Sequence, residues 1–184
     1  MAKTRLNMIT IMNEAWKDRC NNTHDQFEVY VKNLLSHSYA TIQSAYVDYC
    51  RSSGQEDDQR IFLAYQRVFI FLMLSDGDFL QGEYDAYCKF CNYAEIKPLT
   101  VSRIRELYND WSIDVLIREI TFLAGFRDAL EPSDFSAMVR GFCFMSLCGD
   151  KAFDENEYYI LRCFFDSDYD YVPSTWEQFK REWK

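Results

Sequence analysis

Glycine and proline are scarce, at 6 and 3 in 184 residues. So few turn-forming residues leave little means of making the tight reversals of a sandwich, a barrel or an open α/β sheet, and long helices are expected instead. Long apolar runs are also missing. The richest, Ile70 to Leu74, falls far short of the roughly 18 uninterrupted apolar residues of a membrane span. The N-terminal Met-Ala-Lys-Thr-Arg is basic, but Asn7, Thr10, Asn13 and Glu14 interrupt Leu6 to Trp16, which makes no signal-peptide core. A cytoplasmic protein is therefore expected. Basic residues are in deficit, 20 against 29 acids, for a net charge of -9. That field repels a phosphate backbone, argues against direct nucleic-acid binding, and favours a cation or a protein partner with a basic face. Histidine is limited to His24 and His37. Neither belongs to a visible nucleophile-base-orienter set, and no phosphate-cradling or dinucleotide-binding glycine pattern occurs, so no enzymatic activity is expected.

What the chain does have is core-forming material: 48% hydrophobic and 17% aromatic residues, enough for one domain over residues 1–184. Its 7 cysteines are an odd number, mostly beside Phe, Tyr or Leu in helical runs, and read as reduced thiols used as small apolar fillers. Apolar residues recur at helical spacing throughout, predicting an all-α bundle of about eight or nine helices. These cover about Arg5–Arg19, Asp25–Arg51, Asp57–Leu74, Glu83–Tyr93, Thr100–Asn109, Ser112–Ala129, Asp134–Cys148, Glu155–Phe165 and a last helix after Pro173. Thr100 and Ser112 are expected as N-caps. The third helix turns apolar all round at Phe69 to Leu74, as does the seventh at Phe142 to Leu147, which suits central positions in the bundle.

The informative feature is an internal repeat. Asp76-Gly77-Asp78-Phe79-Leu80-Gln81-Gly82-Glu83-Tyr84 aligns without a gap on Asp150-Lys151-Ala152-Phe153-Asp154-Glu155-Asn156-Glu157-Tyr158, an offset of 74 residues. In the second copy Asp154 and Glu157 have the spacing of a capping box, and Phe153 and Tyr158 that of a hydrophobic staple. The first copy keeps Phe79, Glu83 and Tyr84 but puts Leu80 at the cap position. Two helical hairpins with carboxylates around each loop are the expected unit.

Asp76, Gly77, Phe79 and Glu83, with Asp150, Phe153 and Glu157 as a second set, resemble the hairpin pattern of the TerB-like tellurite-resistance family. The resemblance covers residues 62–165 and leaves residues 1–54 as an N-terminal helical extension. It implies an all-α binding module, a divalent-cation site of clustered acids, and roles in stress response or phage defence. Lys151 and Ala152 depart from the pattern and weaken a cation site in the second half.

The candidate cation ligands are Asp76, Asp78, Glu83, Asp150, Asp154 and Glu157, hard oxygen donors suited to Ca²⁺ or Mg²⁺. A self-contained EF-hand is excluded, since counting from Asp76 puts Leu80 at position 5, Gln81 at 6 and Tyr87 at 12. A cation would have to be shared between the hairpins, and helix capping accounts for most of the acids without one. Cys88 and Cys91 form a C-x-x-C inside a helix; a zinc site would need ligands from Cys143, Cys148 or Cys163. Asp166, Asp168 and Asp170 make an acidic strip that is either a solvated linker or a docking strip, with Tyr169, Tyr171 and Trp176 as anchors. Two functions follow: a binding module acting through the acidic loops on a divalent cation or protein partner, and an acidic factor that covers a basic, nucleic-acid-binding surface of its target. A metal-dependent hydrolase is the weaker third.

Overall fold

Local side chains start most of the helices in the computed structural model, which describes residues 5–54, 59–75, 77, 79–149 and 152–183. Helix α1 (Met8–Asn21) is capped by Asn7, and α2 (His24–Ser53) opens on a Thr23–Gln26 capping box and ends at Gly54, whose φ of 70° suits glycine. Helix α3 (Arg60–Met73) and α4 (Gln81–Tyr93) lack a side-chain cap, while Thr100 caps α5 (Val101–Asp110). Ser112 occupies the N-cap position of α6 (Ile113–Ala124) but makes no capping bond, contrary to expectation. The expected sixth helix also ends sooner, tightening into a 3-10 turn at Gly125–Asp128. Pro132 opens α7 (Pro132–Met145), where its missing N–H costs nothing. Helices α8 (Glu155–Arg162) and α9 (Trp176–Glu182) complete the nine helices among the described residues. None is long and apolar enough to cross a membrane.

As their all-round apolar sequences require, α3 and α7 are the most deeply buried helices. An aromatic spine joins them: Phe142 lies 5.2 Å from Tyr65, 5.7 Å from Phe69 and 5.2 Å from Phe164. Phe90 of α4 continues it against Tyr65 and Phe69. The first two helices are integral to this core, with Phe27, Val31, Leu35 and Ile42 of α2 at most 1% exposed. Helix α2 approaches α7 so closely that a Cβ on Gly141 would sit 2.6 Å from the Leu35 side chain. Glu119 of α6, fully buried, receives Arg60 at 2.5 Å and Arg67 at 2.6 Å from α3. Burial raises its pKa, but the two guanidiniums prevail and hold it below the ordinary carboxylate range.

The two ends of the chain are tied together. The Tyr171 amide donates to the Leu6 carbonyl at 2.8 Å and the Met8 amide to the Tyr171 carbonyl at 2.9 Å, closing one parallel bridge between Asn7 and Tyr171. The C-terminal segment then packs Phe179 against Phe153 and Tyr158 at 5.2 and 5.4 Å.

Candidate functional site

The two repeated hairpins are α3 with α4 and α7 with α8, and their loops touch each other. Gly82, in the first turn of α4, lies so close to the second loop that a Cβ there would meet the Cys148 carbonyl oxygen at 2.1 Å and the Gly149 Cα at 3.2 Å. Asn156, the counterpart of Gly82, donates from Nδ2 to the carbonyl of Ser75, the counterpart of Gly149, at 2.9 Å. Each contact is thus the image of the other at the 74-residue offset, the reciprocity that a two-fold relation produces. Only the residue without a side chain admits the closer of the two approaches.

Carboxylates gather here, with different occupations. Asp76, Asp78 and Asp150 lie outside the described residues. Glu83 and Glu157 are buried, at 3% and 5% exposure. Asp154 accepts the Glu157 amide at 2.8 Å while Glu157 accepts the Asp154 amide at 3.0 Å, the capping box that the sequence predicts. Leu80, at the equivalent cap position, makes no side-chain hydrogen bond and lies against Gly149 instead, where a Cβ would be 2.5 Å from it. Buried Cys148 stands between the loops; burial, then the nearby charges of Glu28 and Glu83, push its thiol well above its ordinary pKa. Lys89 reaches toward the same region and pairs with Glu28 at 2.5 Å and Asp25 at 3.1 Å. Among the described residues no three Cys, His, Asp or Glu side chains converge so as to hold a metal ion.

The staples differ as well. Phe79 meets Tyr84 directly, with ring centroids 5.4 Å apart. Phe153 and Tyr158 do not meet; both rings turn to Trp176 and Phe179 of α9. The expected staple of the second copy has been opened by a C-terminal aromatic wedge, which has no counterpart in the first.

That wedge also redefines the acidic strip. Asp170 faces inward, its side chain fully buried, bound to Arg127 at 2.6 Å through both oxygens and accepting the Leu6 and Asp166 amides at 2.8 and 3.0 Å. Burial raises the pKa of Asp170, but Arg127 and the two amides outweigh it and hold the carboxyl below its usual range. Tyr169 lies between the guanidiniums of Arg5 and Arg127, at 5.6 and 5.2 Å, and Trp176 belongs to the α9 cluster. Of the expected docking residues, Asp166, Asp168 and Tyr171 remain exposed, with Asp166 also accepting the Asp168 amide at 3.0 Å and Tyr171 donating to Glu182. Asp170 and Tyr169 instead face Leu6 and Arg5 at the other end of the chain, and Trp176 packs α9 onto Phe153 and Tyr158.

Cys50, Cys91, Cys143 and Cys148 are buried fillers, whereas Cys88 is half-buried and Cys20 and Cys163 are exposed. All 7 are free thiols. Burial pushes Cys91 and Cys143 up to about 12, which keeps them protonated and poor as metal ligands. His37 pairs with Asp134 at 2.7 Å, and His24 takes a guanidinium nitrogen of Arg19 at 2.7 Å.

A surface that the sequence reading did not single out adjoins the hairpin junction. Ser75 and Asn156 stand at one end of a groove of about 480 Å³ whose walls come from α5, α6 and α8. The sequence carries it only as i, i+4 pairs, Ile113 with Ile117 on α6 and Tyr159 on α8 with Cys163 at its C-cap, which helical spacing alone does not tell from core positions. Comparison of the chain with family models, curated proteins and solved structures found no match.

Proposed function

We propose that this chain is a non-enzymatic binding module on the TerB-like plan, whose partner is a protein with a basic face. One observation carries the reading: arginines are engaged in ion pairs with acids of the fold, while several exposed acids have no ion-pair partner among the described residues. Arg60, Arg67 and Arg118 converge on Glu119, Arg127 on Asp170, and Arg140 on Glu14. Asp110, Asp114, Glu155 and Asp168 are exposed and make no ion pair among the described residues. With a net charge of -9, these exposed unpaired acids favour the approach of a basic protein and repel phosphate. Covering a basic, nucleic-acid-binding surface of the target is one form this activity takes.

Salt dependence tests the reading. Immobilised protein retains its partner at low ionic strength and releases it as salt rises and the screening length shrinks. Retention indifferent to salt would overturn it.

A shared divalent cation is the second reading, favoured by the reciprocal meeting of the two loops and the burial of Glu83 and Glu157 beside it. Titration of chelator-treated protein with Ca²⁺ or Mg²⁺ tests it. A melting shift on adding the ion that disappears in Asp76→Asn/Glu83→Gln supports it, and a shift that persists in that variant removes the site from this loop.

A further inference from the structure

We propose that the arginines gathered on Glu119 between α3 and α6 form an anion site that takes a single phosphoryl group. Arg60 and Arg67 stand two turns apart on α3 and both reach Glu119 of α6, Arg60 at 2.5 Å on Oε2 and Arg67 at 2.6 Å on Oε1. Arg118, next to Glu119 in sequence, turns its Nε to within 3.3 Å of the same Oε1. The site is separate from the exposed acids on which the basic-partner reading rests.

One carboxylate offsets one of the three guanidiniums. A count over the described residues, which do not include Glu56, Asp57 and Asp58 just before Arg60, finds no other acid paired with them. Asp114, one turn before Arg118 on α6, is exposed and makes no ion pair there. A single arginine would neutralise buried Glu119 and tie α3 to α6. The other two add like charge at close quarters, and the Arg60 and Arg67 side chains are only 21% and 27% exposed, so water solvates that charge incompletely. A bound anion relieves this repulsion.

The donors are also held in place. Arg60 lies over the Phe122 ring at 3.9 Å and Arg67 over Trp111 at 5.6 Å. Each guanidinium presents several N–H groups in a rigid fork, yet spends one nitrogen on Glu119: Nη1 of Arg60, Nη1 of Arg67 and Nε of Arg118. Their remaining N–H groups make no other hydrogen bond among the described residues, and Arg118, 63% exposed, opens the cluster to solvent.

Charge selects the ligand. A surplus of two positive charges matches a phosphomonoester, which carries about −1.5 to −2 at neutral pH and offers three strong acceptor oxygens, better than it matches a lone carboxylate. The net charge of -9 acts at longer range and is screened beyond about 8–10 Å, so it slows the approach of an anion without cancelling contacts inside the cluster. A nucleic-acid backbone, with its many phosphates, meets that repulsion in full.

The test is calorimetric titration of the intact protein with inorganic phosphate, against sodium chloride at equal ionic strength. Phosphate is expected to bind at one site per chain and to raise the melting temperature where chloride does not. Arg118→Gln, a substitution at an exposed position, should weaken phosphate severalfold with an unchanged circular dichroism spectrum. Glu119→Gln should lower the melting temperature in the absence of phosphate and yet bind phosphate more tightly than the wild type, because the internal competitor for the arginines has lost its charge; a cluster that only joins α3 to α6 predicts the first effect without the second. A phosphoserine peptide that binds at least about tenfold more tightly than inorganic phosphate, while its unphosphorylated form does not bind, assigns the group to a phosphorylated protein, and equal affinities assign it to a small phosphorylated molecule. Phosphate that does not bind the wild type, or that binds Arg118→Gln equally well, overturns the site. Either result leaves the basic-partner reading standing, since that depends on salt-sensitive retention.

Discussion

The first hairpin loop is closed by its own residues, whereas the second is closed by a distant part of the chain. In the first, the Phe79 ring meets Tyr84 at a tilt, with centroids 5.4 Å apart. In the second, an Asp154–Glu157 capping box starts α8, while Phe153 and Tyr158 pack on Trp176 and Phe179. A repeat with matching residues has thus acquired two different energetic supports. Equivalent positions keep their backbone role and change their neighbours, because α9 packs on Phe153 and Tyr158 of the second hairpin and not on Phe79 and Tyr84 of the first.

Substituting the paired phenylalanines breaks this comparison most strongly. Phe153→Ala removes a ring that is 7% exposed and touches three aromatic neighbours, and should cost about 3–5 kcal/mol in denaturant unfolding. Phe79→Ala removes a half-buried ring and should cost about 1–2 kcal/mol. Equal losses would mean that α9 contributes nothing to the asymmetry.

Next in size is the clamp that holds the C-terminal segment in place. Asp170→Asn leaves the Arg127 guanidinium, 12% exposed, without its ion-pair partner and should cost about 3 kcal/mol at neutral pH. The folded pKa of Asp170 is depressed, so its contribution is present above the unfolded value of about 3.9 and is lost as pH falls through the folded value. Wild-type stability should therefore fall more steeply than that of Asp170→Asn as pH drops below about 4. Parallel acid titrations of thermal stability would show that the clamp is not coupled to folding.

The smallest effect concerns the cap positions. Asp154→Ala should cost about 1 kcal/mol as a lost N-cap. Leu80→Asp would give α4 the cap it lacks, and the sequence makes it stabilising provided that Leu80 is exposed. With Leu80 lying on Gly149 and buried Glu83 three residues away, the substitution removes packing and adds a like charge, and net destabilisation is expected. A higher melting temperature for Leu80→Asp would restore the equivalence of the two loops.

Helix content, the central placement of α3 and α7, the Asp154–Glu157 capping box and the doubled hairpin were legible from spacing, because each depends on residues within a few turns of one another. The candidate site was legible only in outline. Asp166, Asp168 and Asp170 look alike in a string of alternating acids, yet Asp170 alone turns inward, since Arg127 and the Leu6 amide, far off in sequence, lie on its side of the chain. Likewise the exposure of Ile117 and Tyr159 could not be separated from core periodicity before the helices were placed. Local pattern and turn chemistry determined which segments are helices, where most of them begin, and that two hairpins repeat. Tertiary structure alone decided which acids are consumed by internal arginines, which phenylalanine is wedged by α9, and which apolar faces are left without a partner, because a side chain's partners across the bundle are set by packing between helices and not by its neighbours along the chain.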